Sequence, residues 1–76
     1  MPHSIDITRE VCPMTWVRVK LKIESLESGA LLEVRLKGAE PLRNLPRNAA
    51  DDGHLVRSLE DAGDGTSRLV LEIRHR

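Results

Sequence analysis

Seventy-six residues make one small domain over positions 1–76, because a chain this short cannot bury two separate cores. Trp16 is the one aromatic residue, so the core must be aliphatic, and modules that stack single-stranded bases on aromatic rings are disfavoured. Twelve Lys and Arg balance twelve Asp and Glu, so no global field draws the chain toward nucleic acid or other polyanions. No apolar run approaches the roughly 20 residues that span a bilayer, and the opening MPHSIDITRE lacks the pattern of a secretory signal. The expected location is the cytoplasm, with no membrane partner.

Ser4–Thr8 alternates Ile5 and Ile7 with Asp6 and Thr8, which predicts a short half-buried strand. Pro13–Ser28 supports two periods. Val17, Val19, Leu21 and Ile23 alternate with Arg18, Lys20 and Lys22 as in a strand. Met14, Val17 and Leu21, beside Trp16, Val19, Ile23 and Leu26, also form the adjacent rows of an amphipathic helix. Pro13 suits the first helical position, Gly29 suits the stop, and about 15 residues exceed an ordinary strand, so the ends favour a helix.

Leu31–Lys37 follows as a strand, with Leu32, Val34 and Leu36 facing inward. In Glu40–Asp52, Pro46 is expected to interrupt a continuous helix and to open a second short one, with Leu42, Leu45 and Ala49 inward and Gly53 as the stop. Leu55–Glu60 and Arg68–Arg74 flank the turn-rich DAGDGTS and read as a hairpin. The order βαβαββ predicts an α+β fold: a two-layer sandwich in which two helices cover one face of a four-stranded mixed sheet. The other face, carrying Glu33, Arg35, Glu72 and Arg74, is expected to be wet.

Cys12 is the one cysteine, which excludes an internal disulfide, a dithiol pair and a multi-cysteine zinc site. With Pro13 as the first helical residue, Cys12 sits at or beside the N-cap, where unpaired N–H groups and the helix dipole favour an anion. Such a position lowers a cysteine pKa from about 8.5 toward about 3.5 in favourable cases. A buried cysteine acting as a small hydrophobe is the alternative at this point.

The run from Ile5 to Arg74 resembles the TusA/SirA-like sulfur-carrier family, whose members open their first helix with Cys-Pro-x-Pro. Ile5-Asp6 stands where the family has Leu-Asp, Cys12-Pro13 matches the first half of the motif, and Gly29 follows the helix. Asn44-Leu45-Pro46 resembles Asp-Ile-Pro, and Gly53-His54 matches the Gly-His before the third strand. The resemblance implies a helix over Pro13–Ser28 and a sulfurtransferase-type relay, in which Cys12 accepts sulfane sulfur as a persulfide and passes it to an acceptor protein. Donors of the implied class are a cysteine desulfurase or a rhodanese. The chain departs from the pattern at Thr15, which replaces the second Pro, and at Leu36-Lys37-Gly38-Ala39-Glu40, where the family carries an acidic stretch.

Around Cys12, the residues expected to support the thiol or meet a partner are Pro13, Met14, Thr15, Trp16 and Arg18. Arg9, Arg18, Lys20 and Lys22 add local positive charge, which steers an acidic partner if it is not simply a solvated helix face. His54 is expected to make a hydrogen bond at the strand entry rather than to act as a base for Cys12, while His3 and His75 are expected to be solvated. One cysteine and three scattered histidines have no metal-ligand spacing, so neither a metal nor another cofactor is expected. The competing function is a non-catalytic interaction or regulatory module that keeps the fold and binds a protein through Trp16 and the basic helix.

Overall fold

The structure is a computed structural model that describes residues 3–9 and 14–75. Its elements are β1 (His3–Asp6), α1 (Met14–Glu24), β2 (Leu31–Lys37), α2 (Ala39–Asp51), β3 (Leu55–Asp61) and β4 (Thr66–Glu72). The four strands form one sheet in the order β1-β2-β4-β3. β1 runs parallel to β2, and β4 pairs antiparallel with both β2 and β3, so the sheet is mixed as expected.

Period-2 patterning decides which face is dry. Leu32 lies opposite Leu71, and Val34 opposite Leu69, so the inward residues of the two central strands stack in register. These residues, with Leu36 and Ile73, are fully buried in one cluster with Val19 and Ile23 of α1 and Leu45 and Ala49 of α2. Both helices therefore cover the same sheet face. On the opposite face, Arg68 approaches Glu60 at 3.2 Å and Glu33 at 3.8 Å, while Glu72 meets Arg74 at 3.1 Å and Arg57 at 3.5 Å. Exposed pairs of this kind contribute at most about 1 kcal/mol each.

Three local expectations change. α1 ends at Glu24, not Ser28; single tighter turns carry the chain on, with Ser25 N–H donating to the Lys22 carbonyl and Leu26 N–H to that of Ile23. Gly29 therefore belongs to the connection to β2, where its N–H donates to the Ile73 carbonyl at 2.7 Å. α2 is one continuous helix with Pro46 inside it, not two short ones. A proline there removes one helical donor, but Pro41, Leu45 and Ala49 recur at four-residue intervals and are all buried, so packing of that row outweighs the local penalty. Pro41 takes the inward place expected for Leu42, which is 38% exposed.

The turn from β2 into α2 depends on Gly38, whose φ of +102° is a conformation that side chains with a Cβ rarely adopt. At the edge of the sheet, β3 carries an irregularity between Val56 and Ser58 and leaves Leu55, Val56 and Leu59 partly exposed. A bulge with charges at Arg57, Glu60 and Asp61 discourages pairing of this edge with another strand. The hairpin is closed by carboxylates: Asp61 accepts from Gly63 N–H at 2.8 Å, and Asp64 accepts from both the N–H and the hydroxyl of Thr66.

The orientation of α2 is open to a direct check. Leu45→Ala should destabilise the protein by about 2–5 kcal/mol, and Leu42→Ala by less than about 1 kcal/mol, in urea unfolding. Equal losses would contradict the observed face.

Candidate functional site

The approach to the candidate site begins at the end of β1. Ile7 is buried and its N–H donates to the Arg35 carbonyl at 2.9 Å, which extends the pairing with β2 one residue beyond the strand. The Asp6 carboxylate then accepts from the N–H of Thr8 at 2.9 Å and from its hydroxyl at 2.7 Å. These two bonds hold the Asp6 carboxyl below the usual carboxylate range and close a tight turn that diverts the chain from the sheet. Residues 10–13 lie outside the described residues, so the expected placements of Cys12 and Pro13 lie outside them too. α1 is described from Met14 onward.

On α1, the row that faces the core is Thr15, Val19 and Ile23, continued by Leu26 beyond the helix end. Thr15 is only 1% exposed. Thr15, expected to support the thiol or meet a partner, lies on the packed face, in the position where the family motif has its second Pro. Trp16 is half-buried and packs against the core. The row Met14, Val17 and Leu21, read as half of the apolar face, lies outward instead, with Leu21 59% exposed. An 11-residue helix buries only a narrow stripe against one flat sheet, and the period cannot say which of two adjacent apolar rows fills it.

Arg9 and Arg18 are exposed, and Lys20 lies 3.9 Å from Asp52 at the end of α2. The first turn of α1 contains no acidic residue. Its partial positive end is therefore not offset by a carboxylate of its own, which favours an anion at the helix start.

His54 is buried where α2 gives way to β3. Its N–H donates to the Ala49 carbonyl at 3.0 Å, and its Nδ1 accepts the N–H of Arg74 at 3.0 Å. Nδ1 must be unprotonated to accept, so the neutral ring carries its hydrogen on Nε2. The expected strand-entry bond is present. His54 shares a cleft with Lys20, Ile23 and Glu24, at the far end of α1. From Met14 to Ile23 the helix rises about 13 Å, which removes His54 from the start of α1 as a base.

His75 is exposed, as expected, and is also tied down. Its N–H donates to Ser28 Oγ at 2.9 Å, its Nε2 lies 2.6 Å from the Leu26 carbonyl oxygen, and its ring meets that of His54 edge-on at 6.1 Å. No spacing in the sequence announces this contact, because the partners are 47 and 49 positions apart. His3 is exposed. Among the described residues, no group of three or more His, Cys, Asp and Glu is placed to hold a metal ion, and no helix is long and apolar enough to cross a membrane.

Comparison with known proteins gives the same family as the landmarks. The family profile described as sulfurtransferase TusA matches residues 3–73. The chain belongs to the TusA sulfurtransferase family. It is 40% identical over 68 residues to a candidate sulfur carrier protein of Archaeoglobus fulgidus, covering 90% of this chain and 77% of that protein. It is 24% identical over 71 residues to a candidate sulfur carrier protein of Thermotoga maritima, with 93% and 90% covered. The candidate sulfur carrier protein TsuB of Escherichia coli K12 is 22% identical over 69 residues, with 91% and 92% covered. A role in carrying sulfur is the function these relatives support.

His54 gives this family member a defined pH response. Burial lowers its pKa below the ordinary imidazole value; Asp52 opposes that shift and His75 adds to it. A histidine whose folded pKa is depressed binds fewer protons folded than unfolded, so its penalty appears as pH falls through the unfolded value of about 6.5. The unfolding free energy should be level above pH 7 and decline as pH falls below about 6.5. Urea unfolding across that range measures it, and a level profile would contradict the burial of a neutral His54.

Proposed function

We propose that this protein is a cytoplasmic sulfur carrier whose reactive group is the Cys12 thiolate. The observation that carries the reading is the first turn of α1, two residues after Cys12, which has no acidic side chain and is bordered by exposed Met14 and Val17. The helix end favours an anionic sulfur, and the apolar border supports contact with another protein.

The transfer is redox-neutral and has two halves. Cys12 thiolate attacks the outer sulfur of a donor persulfide, a new S–S bond forms, the donor's S–S bond breaks, and the donor thiolate leaves. The acceptor's cysteine thiolate then attacks the outer sulfur of the Cys12 persulfide, takes it, and regenerates Cys12 thiolate. With no second cysteine in the chain, the acceptor must supply the thiol for the second half. The donor is a protein persulfide of the kind formed by a cysteine desulfurase or a rhodanese, and the acceptor is a further protein of the relay. Pro13, Met14, Thr15, Trp16 and Arg18 support the thiol or the contact, Thr15 and Trp16 through the packing of α1.

Incubation with a cysteine desulfurase and cysteine should raise the intact mass by one sulfur atom, reversibly with reductant, and Cys12→Ser should show no gain. A gain of equal size in Cys12→Ser, or none in the wild type, would overturn the reading in favour of a non-catalytic interaction module. The exposed row offers a second check. Val17→Ser with Leu21→Ser should change unfolding stability by less than about 0.5 kcal/mol per site while slowing loading from the donor protein. Unchanged loading would remove this row from the contact surface.

A further inference from the structure

The segment that follows β4 returns across the end of α1 and is fastened by a chain of hydrogen bonds. Ile73 N–H donates to the Ala30 carbonyl at 2.8 Å, Arg74 N–H to His54 Nδ1 at 3.0 Å, and His75 N–H to Ser28 Oγ at 2.9 Å. His75 Nε2–H completes the chain at the Leu26 carbonyl, 2.6 Å away. Of these acceptors, only the imidazole nitrogen of His54 titrates near neutral pH.

We propose that Arg74 and His75 form a proton-released latch, closed over the end of α1 while His54 Nδ1 is unprotonated and opened when that nitrogen takes up a proton. The two states exclude each other geometrically. Nε2 of neutral His54 already carries its hydrogen, so an added proton must go to Nδ1, and there it would face the Arg74 N–H donor to donor. The proton comes from solvent, no covalent bond other than N–H forms, and opening returns the Arg74 amide to water.

The surroundings set the direction. The cleft of about 240 Å³ around His54 is lined by Lys20 and Glu24 of α1, Asp52 at the end of α2, and Arg74 and His75 of the latch itself. Lys20 and Asp52 are 3.9 Å apart and largely offset each other. His75 donates from Nε2 to the Leu26 carbonyl, and its ring stands edge-on 6.1 Å from that of His54. Charge on His54 is then relieved when the latch swings away, because the two rings separate and the Arg74 donor leaves Nδ1.

Amide hydrogen exchange from pH 7.5 to 5, corrected for intrinsic rates, tests the latch. The opening constant of the Arg74 amide should rise toward tenfold per pH unit below about pH 6.5, the slope of a one-proton process, while the Ile73 amide remains more protected at every pH. His54→Asn offers a side-chain oxygen near the position of Nδ1 that does not titrate, and should make the Arg74 profile level. A level wild-type profile, an unchanged slope in His54→Asn, or equal opening constants for Arg74 and Ile73 would overturn the proposal. Imidazole nitrogen shifts of the wild type provide a reading that does not depend on the variant. They should show Nδ1 unprotonated at pH 7.5 and a His54 midpoint below the ordinary imidazole value, within the range over which Arg74 exchange rises. A protonated Nδ1 at pH 7.5, or a midpoint at or above the ordinary imidazole value, would equally overturn it.

Discussion

A single aliphatic layer between the sheet and the two helices holds this protein together. With one aromatic residue and no disulfide possible within the chain, cohesion comes from Leu, Ile and Val stacked at two-residue intervals on β2 and β4 against rows at four-residue intervals on α1 and α2. Each fully buried side chain of this kind contributes about 1.5–3 kcal/mol of transfer free energy. In a chain of this size such terms only just exceed the cost of ordering it, so the inward positions have little freedom to vary.

The layer also determines what is left for function. α1 gives Thr15, Val19 and Ile23 to the core, and this rotation about its axis turns Met14, Val17 and Leu21 outward on the helix that Cys12-Pro13 precedes. The helix is therefore a mount rather than a wall of a pocket: its inward row is anchored in the core and its outward row is available to another protein. That division suits a carrier, which must present one atom to two partners in turn, more than an enzyme that encloses a small substrate. At the other end of α1, His54 and His75 bind the chain after β4 to the ends of α1 and α2.

Much of this was legible from residue order. Alternation in Leu31–Lys37 and around Leu69, Leu71 and Ile73 identified the central strands and their inward faces, and Cys12-Pro13, Gly29 and Gly53-His54 aligned the chain with its family. The rotation of α1 was not legible, because two apolar rows lie side by side and only the shape of the sheet chooses between them. Pro46 misled for a related reason: its local penalty is visible in the sequence, while the compensating burial of Pro41, Leu45 and Ala49 is a tertiary effect. The clasp of His75 on Leu26 and Ser28 joins residues remote in sequence that share no motif, so it emerges only from the fold.

The central claim is that Cys12 carries sulfur in transit rather than retaining or releasing it. The most direct measurement loads Cys12 with isotopically labelled sulfur, removes the donor, and adds a second protein bearing a single reduced cysteine. The account predicts that label leaves Cys12 and appears on the acceptor's cysteine in equal amount, with little free sulfide. Label that stays on Cys12, or that is released only as sulfide, would contradict it.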